Sequence, residues 1–201
     1  MFINSESELR SLYGHAAGRA KDKQLPALEK HSINFIHHSP FMLLSTVNKS
    51  GQLDCSPRGG VAGFVHIHNE RRILIPDAKG NNRLDSLVNI LDTEQAGCLF
   101  LIPGVDETLR VNGQARLSQD PSFLDVFKNE DKPPKTCIVL DIDEVFLHCA
   151  KALMRSKLWS EESKIERSSF PTMGRMINDQ LRIDGEVETQ EEMIRRYMKD
   201  I

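Results

Sequence analysis

The length, composition and charge of the chain fit one globular domain with a substantial core. It has 201 residues, of which 39% are hydrophobic and 27% charged, and its formal net charge is -3 at pH 7. This charge argues against a protein that coats nucleic acid. The longest apolar runs fall far short of the roughly 20 residues that cross a bilayer, and no signal segment opens the chain. We expect a cytoplasmic protein with no membrane and no nucleic-acid partner.

Residues 1–40 are predicted to form helices that pack on the rest of the chain. Ser5 and Glu8 have the spacing of a capping box at a helix start. Apolar residues within 25–36 recur near the helical repeat and predict a second helix, which ends before Pro40.

From residue 41 the pattern changes to short β-rich runs separated by turn residues. The predicted strands are 41–47, 53–58, 64–68, 72–76, 96–102, 108–117 and 136–148. Helices are predicted at 82–91 and 121–129. Closely spaced strands with two short helices indicate an α+β fold, mainly β, built as an antiparallel barrel with peripheral helices. A doubly wound parallel sheet fits worse, because regular strand–helix alternation and a Gly-rich phosphate loop are both absent.

After Trp159 the sequence becomes charged, and 160–201 is predicted to be a helical extension that docks on the barrel or on a partner subunit. Its two amphipathic helices are predicted at 171–182 and 189–200. Together with the N-terminal helices and the barrel at 41–159, the extension forms one structural domain.

Cysteines and histidines give no sign of a metal site or a disulfide framework. The four cysteines are Cys55, Cys98, Cys137 and Cys149. None belongs to a CxxC pair and all lie in apolar or strand-like sequence, which favours buried free thiols. His66 and His68 alternate on a strand, but no nearby carboxylate or cysteine completes a ligand set. We therefore expect no bound metal.

The segment 75–85 is the strongest candidate for a phosphate site. A strand ends at Pro76, a turn containing Gly80 follows, and a helix is predicted to begin near Asn82. Unpaired N–H groups at a helix start attract anions, and Arg83 adds a planar guanidinium. An ordinary helix cap, in which Asn82 accepts the Asp85 N–H and Arg83 is solvated, explains these residues alone equally well.

Two further segments carry polar groups in ordered patterns. Ser56 and Arg58 point to one side of a strand and could bind one anion together, although a loop without function is an equal alternative. If 148–159 is helical, Lys151, Arg155 and Trp159 share one face. The alternative for this segment is a basic helix end that complements its own dipole, with the indole as a packing residue.

Four blocks, in this order, resemble the pyridoxamine 5'-phosphate oxidase-related FMN-binding proteins of the split β-barrel superfamily. The blocks are FMLLST at 41–46, SPR at 56–58, the stretch from IPD to GNNR at 75–83, and LRVNGQA at 109–115. The resemblance covers roughly residues 30–160, and the third block is its most specific part. It implies an antiparallel split β-barrel that binds FMN as a homodimer, with the cofactor at the subunit interface.

The resemblance also implies roles for individual residues. Arg58 and Arg83 would hold the FMN phosphate, with Ser56, Asn81 and Asn82 assisting. Pro76 and Asp77 would lie along the ribityl chain or ring. Gln114 would contact the flavin from across the barrel or the dimer. The segment with Lys151, Arg155 and Trp159 would approach the flavin edge. A cation at the flavin N1 and O2 edge would favour the reduced anionic ring.

The leading hypothesis from the sequence is an FMN-dependent oxidoreductase that acts on an unidentified small molecule. No catalytic acid or base is assigned, because the flavin itself performs the hydride or electron chemistry. Pyridoxamine 5'-phosphate oxidase activity itself is disfavoured, because the Arg-Leu-His-like element near the end of those enzymes is replaced here by 181–184 in an acidic tail. The alternatives are a non-catalytic flavin-binding or stress-response protein and a haem-binding relative on the same barrel.

Overall fold

The computed structural model describes residues 2–200, without the side chain of Ala20, and its centre is one seven-stranded antiparallel sheet. The strands are β1 (Phe41–Val47), β2 (Leu53–Gly59), β3 (His66–Asn69), β4 (Arg72–Pro76), β5 (Gln95–Leu101), β6 (Thr108–Ser118) and β7 (Cys137–His148). Their order across the sheet is β2-β1-β5-β6-β7-β4-β3. Because β2 and β3 are edges, the sheet does not close, and the predicted mainly β split barrel is confirmed.

The helices lie around this sheet. They are α1 (Glu6–Tyr13), α2 (Arg19–Asp22), α3 (Lys30–His38), α4 (Asp85–Thr93), α5 (Pro121–Leu124), α6 (Lys151–Ser156), α7 (Met173–Leu181) and α8 (Gln190–Tyr197), with 3-10 turns at Asp125–Phe127, Glu161–Ser163 and Arg167–Ser169. Within residues 2–200, no helix is long and apolar enough to span a membrane.

Strand alternation builds the core. On β1, Met42, Leu44 and Thr46 are buried while the residues between them are more exposed, as expected when alternate side chains face opposite sides of a sheet. The inward residues of β4 to β7 join them in one apolar cluster. α4 covers β1 from the same side, and the buried Asn89 side chain donates to Thr46 Oγ1 at 3.0 Å. This contact holds α4 against β1, the first strand of the β1–β2 hairpin.

A β-bulge interrupts the pairing of the two longest strands. Asn112 pairs with Glu144 and Gly113 pairs with Ile142, so Asp143 is left as an extra residue on β7. At Gly113 the strands approach so closely that a Cβ atom would lie 2.0 Å from the Asp141 carbonyl oxygen. The bulge therefore requires glycine at this position.

Two predicted helices begin later than the sequence pattern indicated. Glu29 caps α3 in a capping box with Ser32, whereas Leu25 forms an isolated β-bridge with Val145, so the helix predicted within 25–36 occupies Lys30–His38 instead. α4 begins at Asp85 rather than near residue 82. At the N-terminus, Ser5 Oγ accepts the Glu8 N–H as predicted, but the Glu8 carboxylate accepts from Asn4 rather than closing a capping box.

The far end of the C-terminal extension contacts the loops that line the barrel's edge. Just before the extension, the Trp159 indole donates to the Val105 carbonyl at 2.9 Å. Beyond α8, Asp200 forms an ion pair with Lys79, and the Lys199 carbonyl accepts from Lys132 at 2.7 Å. α7 and α8 both lie in the predicted extension and contain no buried residue. Met1 and Ile201, the outermost residues of the predicted segments, lie outside the described residues.

The expectation of buried free thiols is right for two of the four cysteines. All four are free, as predicted, and Cys98 and Cys137 are buried. Cys55 and Cys149 are exposed, because Cys55 lies on the outward side of edge strand β2 and Cys149 follows the last strand. Burial raises the pKa of the Cys98 thiol to about 12.

Candidate functional site

A pocket of about 870 Å³ opens where β2, the end of β4 and the start of α4 meet. Pockets of about 300–1,000 Å³ are the usual size for small-molecule and cofactor sites. Seven of the predicted site residues line it together, namely Ser56, Arg58, Pro76, Asp77, Asn81, Asn82 and Arg83. The two guanidinium groups come from separate parts of the sequence, Arg58 from β2 and Arg83 from the loop before α4.

The pocket lining is more basic than the protein as a whole. Its basic residues are Arg58, Lys79, Arg83, Lys132 and Lys135, and its acidic residues are Asp77 and Asp85. The chain carries a formal net charge of -3, whereas basic residues outnumber acidic ones in this lining. Such a local excess of cations favours an anionic ligand.

Within residues 2–200, the start of α4 has no side-chain cap. Leu84 occupies the cap position in a left-handed conformation with φ 60°, and no described side chain accepts a hydrogen bond from the first turn. The cap predicted as an alternative is therefore not formed by Asn82, which is itself left-handed with φ 61°. Instead, Asn81 Oδ1 accepts the Arg83 N–H at 3.1 Å and shapes the loop. A helix start whose first N–H groups have no side-chain acceptor is the kind that attracts an anion.

A hydrogen-bonded cluster that includes three lining residues joins β2 to α4. The Asp54 carboxylate accepts from Ser56 Oγ at 2.9 Å and from Ser86 Oγ at 2.5 Å. Arg58 donates to Ser86 Oγ at 3.2 Å and to the Pro57 carbonyl at 3.0 Å. The sequence analysis did not identify Asp54 or Ser86. Strand alternation could have found Asp54, because it lies two residues before Ser56 and faces the same side.

Asp77 and Arg83 differ in how far they are buried. Burial raises the pKa of the Asp77 carboxyl, and the neighbouring Arg58 guanidinium opposes part of that rise. The Arg83 side chain, in contrast, is 74% exposed, and its Nε donates to Asp85 at 2.8 Å. An exposed ion pair of this kind contributes little to folding.

The family model described as pyridoxamine 5'-phosphate oxidase matches residues 28–149, which is more than half of the chain. The matched range includes every residue that lines this pocket. The chain belongs to the pyridoxamine 5'-phosphate oxidase family. No curated protein sequence matches it significantly.

Several solved structures align with this chain at low sequence identity. A variant of HupZ from Group A Streptococcus is 13% identical and aligns with a TM-score of 0.51 over 60% of this chain and 98% of its own. An FMN-binding protein from Syntrophomonas wolfei is 19% identical and aligns with a TM-score of 0.40 over 58% and 81% of the two chains. General Stress Protein 26 from Bacillus anthracis is 15% identical, with a TM-score of 0.43 over 59% and 92%.

Four predicted site residues of this pyridoxamine 5'-phosphate oxidase family member lie outside the pocket. They are Gln114, Lys151, Arg155 and Trp159. Gln114 is exposed on the outward face of β6, opposite Gln95 on β5. α6 ends at Ser156, where Lys157 turns left-handed with φ 50°. The prediction that Lys151, Arg155 and Trp159 share one helix face is therefore wrong for Trp159.

A second concavity of about 500 Å³ lies beside Gln114 on the outer face of the sheet. Its lining includes Gln95, Gly97, Asn112 and Glu144. Asn112 Nδ2 donates to Glu144 at 2.5 Å, and Gln24 donates to the same carboxylate. This polar row was not predicted from the sequence, because its members come from four separate segments.

Proposed function

We propose that this chain binds FMN in the pocket between β2, β4 and α4 and acts as an FMN-dependent oxidoreductase on a small molecule. The observation that carries the proposal is the convergence of Arg58, Arg83 and the uncapped start of α4 on one basic pocket. Guanidinium groups and helix-start amides are the two donor types best suited to a phosphate ester. Membership of the pyridoxamine 5'-phosphate oxidase family supports the same ligand class.

Different residues of the pocket fit the successive parts of FMN, from the phosphate to the ring. Arg58 retains N–H groups beyond the two it uses within the protein, because a guanidinium has five. Arg83, Asn81 and Asn82 would hold the phosphate from the other wall, and Pro76 and Asp77 would lie along the ribityl chain or ring. The bound flavin supplies the hydride or electron chemistry, and the protein binds, orients and shields it.

We further propose that the functional unit is a homodimer with the flavin between subunits. Gln114, Lys151 and Arg155 are exposed and do not line the pocket of their own chain. A contact between these residues and the flavin therefore requires that they come from a second copy. The polar concavity beside Gln114 would then face the pocket of the partner subunit.

The cofactor is identified by what the purified protein retains. We expect flavin absorption bands and release of FMN on denaturation, with one FMN per chain. A Soret band would instead identify haem as the ligand and would refute the proposal. Oxidation of NAD(P)H by the flavin-loaded protein separates an enzyme from a protein that only stores or senses flavin.

The phosphate role of Arg83 is tested by Arg83→Ala. Loss of one charge-assisted hydrogen bond costs roughly 1.5–3 kcal/mol, so FMN should bind about tenfold to a hundredfold more weakly. Riboflavin, which lacks the phosphate, should bind the variant and the wild type equally. Arg175→Ala is the matched control, because Arg175 also forms an exposed ion pair with an aspartate but lies on α7. Unchanged FMN affinity of Arg83→Ala would exclude this role.

A further inference from the structure

We propose that Asp54 sets the ligand specificity of the pocket by keeping the Ser56 and Ser86 hydroxyl groups from donating to a phosphate. This inference rests on the proposed function and deepens it. Asp54 lies beside the lining residue Ser56, on the same face of β2 as Ser56 and Arg58. Its effect follows from a count of the hydrogen atoms in the cluster.

Each serine hydroxyl has one hydrogen to donate, and an ionised carboxylate only accepts. Ser56 Oγ lies 2.9 Å and 3.1 Å from the two Asp54 oxygens, and Ser86 Oγ lies 2.5 Å from one of them. Both hydroxyl hydrogens are therefore directed at Asp54. Ser86 Oγ also accepts from Arg58, so its remaining capacity is that of an acceptor.

At its two serines the inner wall of the pocket thus presents acceptors backed by a negative charge. A phosphate oxygen beside either serine would meet lone pairs instead of hydroxyl donors. A ligand hydroxyl, in contrast, could donate to Ser56 Oγ. We infer that hydroxyl groups, such as those of a ribityl chain, face Ser56, and that the phosphate lies between Arg83 and the remaining N–H groups of Arg58.

Asp54→Asn tests this arrangement with little change of shape. The asparagine amide can donate to a serine oxygen, so that the hydrogen of this serine hydroxyl is free to point into the pocket. The substitution also removes the negative charge of the Asp54 carboxylate. We expect FMN and inorganic phosphate to bind at least about tenfold more tightly, the effect of one added charge-assisted hydrogen bond. Riboflavin affinity should change much less, because riboflavin has no phosphate.

Asp85→Asn is the matched control, because Asp85 lines the same pocket but contacts Arg83 rather than the serines. An equal gain in phosphate affinity in both variants would show that only the charge matters. It would overturn the proposal that Asp54 keeps the serine hydroxyl groups from donating. Asp54→Ala serves as the second variant if the asparagine protein is unstable in a thermal melt.

A double substitution isolates the serine. In the wild type, Ser56→Ala should change the affinity for inorganic phosphate by less than about threefold, because that hydroxyl is not a donor to a phosphate. In the Asp54→Asn background the same substitution should remove part of the gain. Equal effects of Ser56→Ala in the two backgrounds would refute the proposal. The inorganic phosphate titration gives this result even if FMN is not the ligand, so the two proposals can fail separately.

Discussion

Gly113→Ala is expected to disrupt the pairing of β6 and β7 from within the bulge. The added Cβ atom would lie 2.0 Å from the Asp141 carbonyl oxygen, 2.9 Å from its carbonyl carbon and 3.1 Å from the Asp143 nitrogen. Cβ atoms in proteins essentially never come closer than 3.0 Å to another heavy atom, so β7 must move by about 1 Å. All three obstructing atoms belong to the backbone and cannot rotate away.

The expected cost follows from the kind of atom displaced. Overpacking in a filled interior costs roughly 1–3 kcal/mol, and a shift of β7 also weakens its hydrogen bonds to β6. We therefore expect a loss of about 3 kcal/mol in the free energy of unfolding. For a chain of this size that corresponds to a decrease in Tm of about 6–12 °C. Urea unfolding followed by circular dichroism measures the free energy directly.

Two other glycines provide graded controls for this measurement. At Gly97 an added Cβ would meet the Asn112 side-chain oxygen at 2.7 Å, a flexible group that can move, so Gly97→Ala should cost about 1 kcal/mol. At Gly80 no atom lies within 4 Å, and Gly80→Ala should stay within about 0.5 kcal/mol of the wild type. If Gly113→Ala were no less stable than Gly97→Ala, the steric argument would be wrong.

Two further predictions concern titration and thiol reactivity. Burial, with two nearby cations, lowers the pKa of His148 below 6.5, so the unfolded chain binds this proton first and stability should fall as the pH decreases through 6.5. His148→Gln should make stability less dependent on pH in urea unfolding between pH 7 and 5, and an unaltered slope would contradict the assignment. Alkylation at pH 8 should modify two thiols in the folded protein and the other two only after unfolding, because a buried thiol with a raised pKa is inert. The first pair is Cys55 and Cys149, and the second is Cys98 and Cys137.

Much of the barrel could be predicted because local and long-range signals agree. The strand predicted at 41–47 is observed as β1. Its buried side chains alternate along the strand, and the turn at Asn48 follows its end. The side chain of Asn48 accepts the Ser50 and Gln52 N–H groups and so fixes the hairpin. Where one stretch of sequence contains its own turn and its own buried face, sequence reasoning suffices.

The errors occur where backbone conformation or distant residues decide the result. α4 starts three residues late because Asn82 and Leu84 adopt left-handed conformations, which neither residue type signals reliably. Leu25 pairs with Val145 across the fold instead of joining a helix. The role of Asp54 depends on Ser86, which lies 32 residues away in the sequence. No local pattern connects those two positions.

The open edge of the sheet limits how two copies of the chain can associate. β2 has no neighbour on one side within residues 2–200, and such an edge can recruit a strand from another chain. Pro57, in the middle of β2, has no N–H to offer to an incoming strand. A continuous intermolecular ladder along this edge is thereby interrupted at its centre. The strand that carries Asp54 and Arg58 is therefore poorly suited to pair with a strand of a second copy along its outer margin.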